Sequence, residues 1–333
     1  MSLNVAIVGV TGAVGQEFLK ILEQRKFPAK NYRLLASARS AGKKVTFLDK
    51  SYTIGELTED SFEGMDIALF SAGGSISKAY GPVAAGTDCV VVDNSSAFRM
   101  DENTPLVIPE VNPDAIRDHQ GIIANPNCST IIANVPVWPL HQANPVKRMV
   151  VSTYQAVSGA GAQAMEELAD LTREVLDGKE AEPRIFKYPC AFNVFSHDSD
   201  IGDNGYNVEE MKMVHETHKI FGDDSIAITC TCVRVPVMRA HCESINLEFT
   251  DPIELDSVID ILHRAEGVTV LDDRENNRFP MPLDATDQDD ILVGRIRYDE
   301  SLPDKRGINL WIAGDQIRKG AALNAVQIAE KLL

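Results

Sequence analysis

The sequence predicts an α/β protein in two parts: a Rossmann-like doubly wound parallel sheet, then an α+β domain with a mixed, mostly antiparallel sheet. Three observations predict it. Up to about residue 127, short β-branched runs alternate with glycine turns and amphipathic stretches, the order that a parallel sheet with crossover helices requires. Beyond residue 128 that strict alternation stops, and long alternating strands come in succession. The length, 333 residues, exceeds one typical domain and allows two cores.

The elements follow in order. Leu3-Asn-Val-Ala-Ile-Val-Gly9 is a buried strand ending in glycine, and Val10-Thr11-Gly12-Ala13-Val14-Gly15 leads into a helix over about 16–24 with Phe18, Leu19 and Leu22 on one side. Strand, glycine turn and helix form a dinucleotide-binding βα unit: glycines let the backbone approach a pyrophosphate, whose charge meets the helix N-terminus. The next strand, Tyr32–Ala36, is where an acid would hold the 2′-hydroxyl of NAD. The chain instead reads Ser37-Ala-Arg39-Ser40, two hydroxyls and a guanidinium suited to a phosphate, so NADP(H) is the expected cofactor. Asp66–Phe70 is a strand, Ser71-Ala-Gly73-Gly74 a tight turn, 77–85 a helix and Asp88–Asp93 a strand; Arg99 follows this sheet edge, and Gly121–Ala124 is one more short strand. The second part opens with an apolar helix, 130–138. It continues with a strand over Val146–Val157, a helix near 163–176, a polar segment from Lys187 to Tyr206, and a helix at 209–221. Strands are expected near 226–235, 243–249, 268–271, 291–298 and 309–313, and a last helix from Gln316 returns to the first domain. The expected domains are residues 1–127 for NADP binding, completed by a helix at 314–333, and 128–313 for catalysis and dimerisation.

Composition excludes several classes of function. Hydrophobic content of 44% and charged content of 24% are those of a globular protein. A net charge of −17 argues against nucleic acid or an anionic membrane as partner, because either requires a basic surface. No apolar run approaches the roughly 20 residues that span a bilayer. Six cysteines without an N-terminal signal segment read as reduced thiols of a cytoplasmic protein. Cys230-Thr-Cys232 lacks a matching His or Cys pair, so no metal is expected.

The centre of the chemistry is Asn125-Pro-Asn127-Cys128-Ser129-Thr130. It places a cysteine at or beside a helix start, where free N–H groups and the dipole favour a thiolate; position alone equally allows a buried, inert thiol, as most free cysteines are. Further on, Glu209 and Lys212 stand three apart on one helix face, a spacing that most often means a surface ion pair.

Asn127-Cys128, then Gln155 with Ser158-Gly159-Ala-Gly161, then Arg234-Val-Pro-Val-Met-Arg-Ala-His241 together resemble the bacterial aspartate-semialdehyde dehydrogenase family in order and spacing. So do the Ser-Ala-Arg-Ser loop and the closing Arg318-Lys-Gly-Ala-Ala-Leu-Asn segment. The resemblance implies that Cys128 is the acyl-accepting nucleophile, His241 the acid/base, and Gln155 the residue that orients substrate and thioester. It implies Arg234, Arg99 and Lys212 as cations for carboxylate and phosphate, Glu209 as partner of the substrate ammonium, and Asn127 as a further substrate residue. Ser158, Gly159, Gly161 and Gln316 join the turn residues, Ser71 and Gly73 as cofactor contacts. One departure is Ala240-His241-Cys242, where many members read Gly-His-Ser.

The implied reaction is NADPH-dependent reduction of L-aspartyl 4-phosphate to aspartate semialdehyde and inorganic phosphate through a Cys128 thioester, by a homodimer or dimer of dimers. A reductase of N-acetylglutamyl phosphate or of the glyceraldehyde-3-phosphate type, and a non-catalytic NADP-binding sensor, are the alternatives.

Overall fold

The computed structural model describes residues 3–333. It divides into two compact units, one running to Asn127 and including Ala321–Leu333, the other Cys128–Gly320.

The first unit is built on β1 (Leu3–Val8), α1 (Ala13–Gln24), β2 (Ala29–Ala36), a hairpin of β3 (Lys44–Phe47) and β4 (Lys50–Thr53), and β5 (Gly55–Glu56). It continues with β6 (Ile67–Phe70), α2 (Gly74–Ala85), β7 (Val90–Asp93) and β8 (Ile122–Ala124). Its sheet has the order β5-β2-β1-β6-β7-β8 and every pairing is parallel. The two faces of β1 show why the run is continuously apolar. Val5 and Ile7 pack on one side with Phe18, Ile21 and Leu22 of α1, while Ala6 and Val8 pack on the other with Ala84 of α2. A strand buried on both faces has no polar alternation. The chain proceeds from β1 to opposite sides of the sheet, so the loops after β1 and β6 flank the switch point where α/β sheets take ligands.

The second unit contains α3 (Cys128–Ala143), β9 (Val146–Gln155), α4 (Ala162–Leu176), β10 (Phe195–Ser196), α5 (Val208–Phe221), β11 (Ala227–Arg234) and β12 (His241–Phe249). It is completed by α6 (Leu255–Arg264), β13 (Val268–Val270), α7 (Pro282–Ala285), β14 (Ile291–Tyr298) and β15 (Gly307–Gly314). The seven-stranded sheet, β10-β11-β9-β12-β15-β14-β13, pairs β11 with β9 and β13 with β14 in parallel and is otherwise antiparallel, as the sequence predicts.

Several elements depart from expectation. The helix holding the cysteine is longer than its apolar run suggested: it begins at Cys128 itself and continues through Pro136 and Pro139. Prolines inside it forfeit backbone hydrogen bonds, but Ser129–Val137 are all buried, and packing on every side outweighs the loss. The return to the first unit is also different. Gln316 lies in a turn of the second unit, Arg318–Leu323 is a π-helical turn, and only α8 (Asn324–Glu330) is α-helical. Residues 314–320 therefore belong with the second unit rather than the first. Arg25 clamps α8 with two bonds of 2.7 Å to Glu330. No helix among the described residues is long and apolar enough to cross a membrane.

Candidate active site

Three neighbouring strands of the second unit end together. Arg234 of β11 pairs with Gln155 of β9, and Cys242 of β12 pairs with Tyr154, which brings His241 opposite Gln155. All three side chains are buried on the face covered by helices. The first residue of α3 meets this row: Cys128 Sγ lies 3.5 Å from His241 Nε2. Of the six cysteines Cys128 alone is not fully buried. Burial pushes the Cys89 and Cys242 thiols up to about 12 and Cys190 up to about 11, states in which a thiol is inert. Gly320 lets the chain approach, since a Cβ there would stand 2.9 Å from Cys128 Cβ.

His241 is held from behind. The Ala156 amide donates to Nδ1 at 3.0 Å, so a neutral ring carries its proton on Nε2, the nitrogen facing the sulfur. Complete burial, then the Arg234 charge, push its pKa down to about 3. The preceding residue, Ala240, has φ 71°, a left-handed conformation that favours glycine and costs an alanine roughly 1 kcal/mol. Gln316 Oε1 accepts the Ala240 amide at 2.8 Å and so helps to hold it there.

Gln155 Nε2 donates to Ser129 Oγ at 2.9 Å and to Glu209 Oε1 at 3.1 Å. Lys212 Nζ donates to the other oxygen of Glu209 at 2.9 Å. This pair is not the solvated surface contact that its spacing most often signifies, because Glu209 is buried. A capping box places it: Asn207 Oδ1 accepts from the Glu210 amide, Glu210 Oε2 accepts from the Asn207 amide, and Glu210 Oε1 accepts from Cys232 N–H of β11. Arg234 donates to Ala156 O at 2.8 Å and lies 5.2 Å from the centre of the Phe186 ring. The buried Glu167 carboxylate fixes that ring's loop by accepting the amides of Arg184, Ile185 and Phe186. Arg234 Nε is buried without a hydrogen-bond partner.

The remaining residues fall in three places. Gly9, Thr11, Gly12, Ser37 and Ser71 line a cavity of about 480 Å³ at the carboxyl edge of the first unit's sheet. A Cβ on Gly9, whose φ is 83°, would meet the Ser71 backbone at 2.9 Å, and one on Gly15 would meet Gly9 O at 2.3 Å; Ala13 and Val14 begin α1, and Gly73, with φ 89°, precedes α2. Arg39 is exposed and Ser40 is buried in the turn after β2. Arg99 and Asn127 are buried in the first unit, where Arg99 donates to Asn125 O and Asn94 O. Ser158, Gly159, Gly161 and Gln316 belong to the second unit; Gln316 donates to Ser158 Oγ, and Gly159 packs beside Arg234 and His241. The cavity's glycine backbone and open edge fit a dinucleotide.

Sequence reasoning missed three residues. Glu56 lines the same cavity because β5 pairs beside Ala36, so an acid is present after all, supplied from 20 residues onward rather than by the end of β2. Ser129, at the start of the apolar helix, carries no sequence signal for its bond to Gln155, and His197 lies in the polar segment from Lys187 to Tyr206, which has no regular pattern. Among the described residues no cluster of His, Cys, Asp or Glu could hold a metal ion.

The chain matches two families over most of its length. Residues 4–119 match the one described as "Semialdehyde dehydrogenase, NAD binding domain", and residues 137–319 the one described as "Semialdehyde dehydrogenase, dimerisation domain". It is 54% identical to the aspartate-semialdehyde dehydrogenase of Synechocystis sp. over 99% of this chain and 97% of that one. Identity is 48% to that of Bacillus subtilis, over 99% and 97%. The crystal structure of aspartate semialdehyde dehydrogenase II of Vibrio cholerae, complexed with ASA, superposes with a TM-score of 0.96 at 46% identity and covers 100% of this chain and 98% of that one.

Proposed function

Because the chain belongs to the aspartate-semialdehyde dehydrogenase family, we propose that it catalyses the NADPH-dependent reduction of L-aspartyl 4-phosphate to L-aspartate 4-semialdehyde and phosphate, reversibly. That is the aspartate-derived step toward lysine, threonine and methionine. The observation that carries the reading is the Cys128–His241 pair, an accessible thiol at a helix start 3.5 Å from a buried imidazole.

The Cys128 thiolate attacks the acyl carbon, phosphate leaves, and a thioester remains. A nicotinamide bound beside it would supply the hydride that the thioester needs, and Cys128 would then leave the thiohemiacetal as thiolate and free the aldehyde. The Cys128 amide at the start of α3 is a donor for the developing oxyanion, and His241 Nε2 is the atom at which a proton is held or returned beside sulfur and oxygen. Gln155, tied to Ser129 and Glu209, orients the acyl group. Arg234 grips the α-carboxylate through the Nε left without a partner, Glu209 receives the ammonium, and Lys212, Arg99 and Asn127 complete substrate and phosphate binding. The first unit's cavity binds the cofactor through Gly9, Thr11, Gly12 and Ser71. Arg39 with Ser37 and Ser40 selects the 2′-phosphate. The dimerisation-domain match supports the homodimer or dimer of dimers that this reading proposes, and the chain's six free thiols suit a reducing compartment such as the cytoplasm.

The test compares kcat/KM for aspartate semialdehyde and N-acetylglutamate semialdehyde, each with phosphate and NADP. An acetylated substrate lacks the ammonium and would leave the buried Glu209 carboxylate without it, a cost of several kcal/mol. The expected result is a preference for the free amine of 100-fold or more, on the order of 3 kcal/mol. Indifference between the two overturns the substrate assignment.

A further inference from the structure

Among the charged groups of the second unit lies a histidine to which the reaction above gives no task. His197 follows β10, and its amide donates to Cys232 O at 2.8 Å, which anchors it to β11 two residues before Arg234. Its Nδ1 accepts the Ser199 amide at 3.3 Å and lies 3.1 Å from Ser199 Oγ. Ser199 Oγ in turn accepts the amide of Glu209 at 3.2 Å, so the hydroxyl proton is directed to Nδ1. With two donors on Nδ1, the neutral ring carries its proton on Nε2. The groups whose charges act on the ring are Glu209 and Lys212 of α5, Arg234 of β11 and Asp198 beside it, and the ring in turn acts on His241 of β12. Two of them, Glu209 and Arg234, are the groups assigned to the substrate's amino-acid end.

We infer that His197 is a positioning residue for Glu209: through Ser199 it fixes the start of α5 so that the Glu209 carboxylate meets the α-ammonium of the substrate. This rests on the substrate proposed above. A neutral ring is what the arrangement requires. Lys212 and Arg234 already place two positive charges against the negative charges of Glu209 and Asp198, and a cationic ring would offset the Glu209 carboxylate's attraction for an ammonium. Burial, the largest influence on the ring, lowers its affinity for a proton and keeps it neutral.

The experiment measures discrimination between aspartate semialdehyde and succinate semialdehyde, which has the same carboxylate and aldehyde but no ammonium, as substrate or as competitive inhibitor. His197→Ala is expected to lower that discrimination about 10-fold, the size of one hydrogen bond to a charged group, with the loss in KM for aspartate semialdehyde and not in KM for phosphate or NADP. His197→Asn, whose Oδ1 can take the place of Nδ1 as acceptor, should recover most of it. His197→Lys, a fixed cation, should lose more than the alanine variant. Equal losses for both aldehydes, or no rescue by asparagine, would show His197 to be structural only, and the asparagine and lysine variants decide the matter if alanine prevents folding. A wild type that turns over no aspartate semialdehyde sinks the proposed function itself; an active wild type with unchanged discrimination in the variants sinks this inference alone.

Discussion

The main-chain amide of Ala156 donates to Nδ1 of His241 at 3.0 Å, and by occupying that nitrogen it leaves the ring proton on Nε2, the nitrogen beside Cys128 Sγ. A backbone group thus chooses the tautomer of a buried side chain. In ¹⁵N-histidine NMR spectra, His241 should show a bare Nδ1 and a protonated Nε2, and should not titrate between pH 8 and pH 5. An unfolded histidine binds a proton below about pH 6.5, whereas the native ring does so only near 3. His241 therefore lowers stability progressively as pH falls through that window, and His241→Asn should unfold at lower pH than wild type. A ring that protonates near pH 6.5 would contradict the geometry.

Cys128→Ser should retain the fold and lose nearly all turnover, since a hydroxyl needs a far stronger base than the neighbouring imidazole supplies. Intact-protein mass spectrometry with acyl phosphate and no reduced cofactor should show an acyl adduct on wild type and none on the variant. An adduct that survives the substitution would place the nucleophile elsewhere.

Glu243, on β12 two residues beyond His241, is completely buried, and neither carboxyl oxygen has a hydrogen-bond partner. Burial raises its pKa well above the carboxylate range, so the native group keeps a proton that the unfolded chain loses above about pH 4.3. Stability therefore falls as pH rises from there toward the native value, by on the order of 1 kcal/mol per pH unit. Glu243→Gln keeps the shape without the proton. Its thermal midpoint should gain on wild type steadily from pH 5 to pH 8; a pH-independent difference would mean that the carboxyl is ionised in the fold.

The proposed preference for NADPH puts two side chains of opposite sign after β2 to the test. Arg39→Ala should weaken NADPH binding about 10- to 100-fold, the range for a charge-assisted hydrogen bond, and leave NADH nearly unchanged. Glu56 lines the cavity beside Ala36, and a carboxylate there would repel a 2′-phosphate, so Glu56→Gln should shift preference further toward NADPH. Titration of both cofactors against both variants checks this, and equal losses for NADH and NADPH in Arg39→Ala would remove Arg39 from the readout.

By itself the sequence determined what local pattern can encode. Val5–Val8 is apolar on both faces and could only be an interior parallel strand. Gly9, Gly12 and Gly15 stand where a turn and a close helix approach exclude side chains, and Cys128 stands at the start of an apolar helix. These follow from backbone sterics and from burial within a few residues. The tertiary structure alone decided what depends on strands far apart in the chain ending at the same level. It brought Cys128 against His241 across 113 residues, placed Glu56 beside Ala36 through a two-residue strand, and buried the Glu209 carboxylate of a pair whose spacing would have left it in solvent. It also held Ala240 at a glycine's φ through the hydrogen bond that its N–H donates to Gln316 Oε1, and set His197, in a segment with no period to read, among the charges of Glu209 and Arg234. The free energy that fixes such pairs comes from packing and hydrogen bonds between distant segments, which no local window contains.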